Sequence, residues 1–172
     1  GEHPGDLEGA LANFSKAASL APTNPEMLFN LASLYHELGD LVHARENYEA
    51  LVQVDPKHGH ARHNLACCHY ALNQVKDAEA ELKRTLAMHP DWGQTWYVLG
   101  HLFDSTARGG LALDAFHHAV EHDPDNMEAM LTLGQAYYRQ YQPNAAVEVF
   151  RTAASRTGAH QAAAYFFLAQ AY

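Results

Sequence analysis

An all-α fold built from repeated antiparallel helix pairs follows from three observations. Pro22, Pro56, Pro90 and Pro124 recur at intervals of 34 residues. Between them one skeleton returns. Asn30-Leu31-Ala32, Tyr35, Ala44, Tyr48 and Pro56 become Asn64-Leu65-Ala66, His69, Ala78, Leu82 and Pro90, and then Leu99-Gly100, Phe103, Ala112, Phe116 and Pro124. The stretches between the breaks carry helix start and stop signals: Asn or Asp before a stretch, Gly or Asn after it, Pro in the linker. A self-similar period of this length marks a helix-turn-helix array.

The columns sharpen this reading. A leucine column runs Leu31, Leu65, Leu99, Leu133, and beside it a small-residue column runs Ala32, Ala66, Gly100, Gly134. An aromatic column runs Tyr35, His69, Phe103, Tyr137, with His69 as the departure. Alanines follow at Ala10, Ala44, Ala78, Ala112 and Ala146, and large residues at Phe14, Tyr48, Leu82, Phe116 and Phe150. This pattern resembles the tetratricopeptide repeat (TPR) family over nearly the whole chain. The resemblance implies a TPR-type α-solenoid, a right-handed superhelix of antiparallel helix pairs, in a single array over 1–172.

In order, 6–24 reads as the second helix of a partial repeat, with the helix itself over 6–20. Gly1 to Gly5 carries no periodicity. Complete repeats are expected over 25–58, 59–92, 93–126 and 127–161, and 162–172 as the first helix of a further partial repeat. Pro25 suits the first turn of its helix and Asn24 its cap, because proline has no N–H to lose there and an Asn oxygen accepts an orphan amide. Gly39 supplies a left-handed C-terminal residue, and Asn73 takes its place one repeat on. Asp40 and Asn126 cap the helices that follow them. The turn 106–110 is the loosest of the set. Around 155–160 the register slips by one residue, after which Tyr165, Leu168, Ala169 and Tyr172 rejoin the columns. Helices of about 13 residues are marginal alone and rely on packing.

Composition bounds the function. The chain has 172 residues, 48% of them hydrophobic, and a net charge of −9 with neutral histidines. That charge argues against nucleic acid, whose phosphates need clustered Lys and Arg. No apolar run approaches the roughly 20 residues of a membrane span. Cys67 and Cys68 are neighbours on one helix, a poor geometry for a mutual bridge. They read as small packing residues in a reducing, cytoplasmic setting.

The family resemblance places first helices on a concave face, so positions outside the packing columns would meet a partner. These are Phe29, His63, Tyr97 and Leu131 in one column, followed by Phe166. Asn30, Asn64, Val98 and Thr132 form the next, followed by Phe167. Ser33, Cys67, His101 and Gln135 form the third, followed by Gln170, and His36, Tyr70, Asp104 and Tyr138 the fourth. The expected groove is aromatic, histidine-rich and mildly charged. Asn30 and Asn64 resemble two steps of the asparagine ladder by which O-GlcNAc transferase repeats hold peptide backbones; local hydrogen bonding is the competing reading. Phe29, Ser33 and His63 replace the Lys/Arg clamp that a C-terminal carboxylate requires.

There are 13 histidines. His63 and Cys67, four apart, share a helical face, but no paired CxxC or HExxH pattern accompanies them. No metal or cofactor is expected. His117, His118 and His122 read as a solvated outer face, and His69 as a packed core histidine. Catalytic signatures are lacking: no phosphate-cradling Gly-rich loop, no GxSxG, no Cys-His pair with a third member. The expected function is a non-catalytic scaffold or adaptor, not an enzyme, binding a protein or peptide partner in its groove. One alternative is the substrate-docking region of a larger enzyme such as a glycosyltransferase or methyltransferase. Another is a self-assembling array, because the two terminal half repeats are complementary and allow head-to-tail stacking.

Overall fold

The computed structural model describes residues 4–156, 158 and 160–171. Tyr172, the last position of the sequence columns, lies outside them. Two compact units divide the chain between Pro90 and Asp91. The first contains α1 (Pro4–Leu20), α2 (Pro25–Glu37), α3 (Leu41–Val54), α4 (Gly59–Ala71) and α5 (Val75–Met88). The second contains α6 (Gly93–Ser105), α7 (Gly109–His122), α8 (Met127–Arg139), α9 (Pro143–Ala154) and α10 (Gln161–Ala171). Within each unit every helix packs on the next in sequence, the arrangement of a helix-pair repeat. The described residues contain no strand.

The helix ends are built from the residues that the sequence nominates. Asn24 Oδ1 accepts from Glu26 N and Met27 N at 3.0 and 3.2 Å. Asp40 accepts from His43 N, and Asn126 from Ala129 N. His58 does the same for α4, its Nδ1 accepting from Ala61 N at 3.1 Å, a cap that its residue type does not announce. At the C-terminal ends the period of 34 reappears in the backbone. Gly39, Asn73, Ala107 and Tyr141 all adopt positive φ, between 57° and 78°. The N–H of the residue after each reaches back to the aromatic column: Asp40 to Tyr35 O, Gln74 to His69 O, Arg108 to Phe103 O and Gln142 to Tyr137 O. This is the six-residue closure of a Schellman motif. In the third repeat Ala107 takes the left-handed position. The glycines of the loose turn instead open α7.

The sequence columns become the interior. Leu31, Leu65, Leu99 and Leu133 are buried, as are Ala44, Ala78, Ala112, Ala146, Tyr48, Leu82, Phe116 and Phe150, while Ala10 and Phe14 of α1 are half-buried. The small column exists because a ring lies on it. A Cβ on Gly100 would stand 2.5 Å from the Phe116 ring, and one on Gly134 would meet the Phe150 ring closer still. Where the second-helix residue is Tyr48 or Leu82 the small residue is alanine; where it is Phe it is glycine. Gly100→Ala is therefore expected to cost about 1–3 kcal/mol by overpacking, despite alanine's better helix propensity. In a Phe116→Leu background, which copies the Ala66/Leu82 pairing, the cost should largely vanish. Urea unfolding midpoints of the four proteins check this; equal costs in both backgrounds would show that the ring is not the obstacle.

Candidate protein-binding site

In the first unit the candidate face is carried by α2 and α4, with one side chain arriving from α3. Phe29 stacks on His58 with ring centroids 5.2 Å apart and meets Tyr48 edge-on at 5.9 Å. Ser33 Oγ lies 3.0 Å from Tyr48 Oη, and Asn64 Nδ2 donates to the same oxygen at 3.1 Å. The structure thus brings Phe29, Ser33 and Asn64 together around a residue that sequence reasoning assigned to packing alone. Tyr48 is 1% exposed, and burial raises its phenol above the usual range, so the hydroxyl stays protonated. Asn64 spends a donor locally, as the competing reading of the ladder requires. Asn30 and Tyr70 are half-buried and His36 is exposed.

His63 and Cys67 also meet, with Nε2 3.6 Å from Sγ. Yet His63 is only 8% exposed, which corrects its expected place on an open groove. The reason is that α4 packs against both α3 and α5 and buries eight of its residues. Burial, with His60 nearby, lowers the imidazole to about 4, and burial lifts both the Cys67 and Cys68 thiols to about 11. These groups are neutral near pH 7, so the pair offers no thiolate for nucleophilic chemistry. Cys68 is fully buried, in keeping with its packing role. His69 is buried too, bonded through Nδ1 to Gln74 Oε1 at 2.7 Å.

In the second unit α6, α8 and α10 carry the corresponding positions. Tyr97 Oη lies 3.3 Å from Thr132 Oγ1, and its ring meets His101 edge-on at 4.5 Å. His101 rests in turn on Phe116, and burial lowers its imidazole below the ordinary value. Asp104 pairs with Arg139 at 3.0 Å. Gln135 and Tyr138 border a hollow of about 160 Å³ with Arg139, Phe150, Phe167 and Gln170. Phe150 and Phe167 of this lining stack on each other, with ring centroids 5.5 Å apart. Tyr138 and Gln170 also border a wider groove of about 980 Å³, lined in addition by Tyr141, Pro143, Val147 and Arg151.

Leu131 does not join this surface. It is 7% exposed and belongs to a core cluster that includes Ala164 of α10, with Phe167 packed against it. The expected groove position is covered because α10 brings its own apolar residues onto α8 and α9. Arg139 was missed by sequence reading, although the acidic Asp104 one repeat earlier is the signal for a cation there.

The sequence matches three family models. One described as a tetratricopeptide repeat covers residues 38–102, another of the same description covers 97–159, and one described as a TPR repeat covers 4–39. Among curated relatives, the BBSome complex member BBS4 of Bos taurus is 29% identical over 133 residues, which are 77% of this chain and 25% of that protein. The human protein O-mannosyl-transferase TMTC3 is 25% identical over 138 residues, covering 77% of this chain and 15% of that enzyme. The chain thus spans a quarter or less of the length of these relatives. A crystal structure of MamA superposes with a TM-score of 0.82 at 25% identity, covering 88% of both chains. No described helix is long and apolar enough to cross a membrane. Repeated helix pairs, the buried 34-residue columns and these matches lead to one conclusion: the chain belongs to the tetratricopeptide repeat family.

Proposed function

We propose that the chain is a non-catalytic protein-binding module whose second unit takes an extended peptide across α8 and α10. The observation that carries this is the hollow beside Tyr138. Its lining combines the stacked Phe150 and Phe167 rings with Gln135, Gln170 and Arg139. An aromatic lining suits an apolar side chain, and the Gln135 and Gln170 amides are groups that pair with a peptide's backbone. Tyr138 is 51% exposed, which leaves its ring available as an anchor of the kind that dominates interface energy. In the first unit, the Phe29–His58 stack beside the Ser33–Tyr48–Asn64 bonds supports a second contact surface of similar chemistry.

The test is selection of peptides from a displayed random library, followed by fluorescence anisotropy of a selected sequence. Tyr138→Ala is expected to weaken binding about ten-fold or more, the 1.4 kcal/mol scale of a modest hot spot, while leaving the melting temperature unchanged. Selected peptides that bind native protein and Tyr138→Ala equally would overturn the assignment.

A second reading is favoured by the match to TMTC3, a protein O-mannosyl-transferase by name. On it, the same surface would dock substrate segments for a catalytic domain elsewhere in a longer protein. Peptide binding by this chain is common to both readings.

A further inference from the structure

The histidine-rich composition resolves into a local arrangement on α7. Among the described residues, His118, Glu121 and His122 form a cluster in which one donor atom from each lies within 4.8 Å of the others. We infer that this cluster is a site for a divalent transition ion of the zinc class.

The argument starts from helix geometry. Residues three and four apart project from one face, so His118 and His122 present two imidazoles side by side and Glu121 places a carboxylate between them. Their rings are near parallel, 15° apart with centroids at 6.2 Å. Zinc bonds imidazole nitrogen and carboxylate oxygen at about 2.0–2.2 Å in a tetrahedron. Donors sharing one ion therefore stand about 3.4 Å apart, and the present spacing closes by small rotations of exposed side chains. All three residues are exposed, so Glu121 and His122 can turn toward His118 without disturbing the core.

A second feature organises the cluster before any ion arrives. The His118 ring packs on Trp96 of α6, with centroids 4.6 Å apart and planes 31° apart. Its Nδ1 lies 3.1 Å from Glu121 Oε2. One imidazole is thus held in place by a neighbouring helix and lies within hydrogen-bond reach of the carboxylate that would share the ion. Two nitrogens and one oxygen, with a fourth position left for water, suit a borderline ion better than magnesium or calcium, which take oxygen sets. The His63–Cys67 pair is a weaker candidate, because its thiol is held protonated and no third donor among the described residues joins it.

The test is calorimetric titration of the chain with zinc chloride at pH 7.5, with tryptophan emission as a second readout through Trp96. The native chain is expected to bind Zn²⁺ at this site. His118→Gln and His122→Gln should each weaken that binding by about ten-fold or more, the scale that even outer-shell partners command. His117→Gln alters an adjacent exposed histidine outside the cluster and should bind as the native chain does. These surface changes leave the fold intact, which circular dichroism verifies. The proposal is overturned if the native chain binds no zinc, if His118→Gln and His122→Gln bind it as tightly as native, or if His117→Gln loses as much as they do.

Discussion

Replacing Glu81 by Leu is expected to destabilise the first unit by about 3–5 kcal/mol, the cost of leaving a buried charge without its partner. Glu81 on α5 and Arg62 on α4 are 8% and 9% exposed, and their charged groups form a salt bridge. Arg62 also donates to Pro56 O at 2.8 Å, and Arg84 bonds the second carboxylate oxygen of Glu81. With Leu at 81, the Arg62 guanidinium keeps only the carbonyl. The double variant Arg62→Met/Glu81→Leu should recover most of the loss, because apolar residues of similar volume satisfy the same space without desolvating charge. Urea midpoints at constant m-value measure both steps. A single-variant cost below about 1 kcal/mol, the range of a surface pair, would show that Arg62 is solvated in solution.

The second large effect is acid sensitivity centred on His63. Its imidazole titrates at about 4 in the fold, against about 6.5 when exposed. Between these values the unfolded chain binds a proton that the folded chain refuses, so stability falls as the pH falls through this window. Each pH unit removes about 1.4 kcal/mol, and the total lost by pH 4 is on the order of 3 kcal/mol. Above pH 6.5 both states hold the neutral ring and the effect vanishes. His63→Gln should flatten the stability profile between pH 6.5 and 4 relative to the native chain. Parallel profiles for the two proteins would remove His63 from the account; carboxylate protonation affects both alike.

Much of the architecture was legible because a repeat writes its packing several times. Leu31, Leu65, Leu99 and Leu133 identify the core without help from any one of them, and four prolines fix the period. The Gly100–Phe116 and Gly134–Phe150 pairs were also open to reading, since a volume lost in one column is regained in the other. Arg62 offers a subtler case. Its column otherwise reads Leu28, Trp96 and Met130. A charge among apolar residues announces a buried partner, though not which one.

The site was less legible. Leu131 and His63 have the column positions of groove residues, yet both are buried. Column position fixes the face of a helix, and neighbouring helices decide whether that face meets water. Tyr48 shows the converse. Its ring fills the core as its column demands, while its hydroxyl reaches Ser33 and Asn64 on the candidate face. One side chain can serve both because a phenol is apolar along its ring and polar at its tip.

By itself, the sequence determined the helix pairs, the caps at Asn24, Asp40 and Asn126, most of the buried columns and the family, because each follows from local spacing repeated at a fixed period. Only the tertiary structure decided which polar side chains meet. Arg62 finds Glu81, Asp104 finds Arg139, and His118 lies on Trp96. Those pairings depend on distances between helices, and no single helix's periodicity contains them.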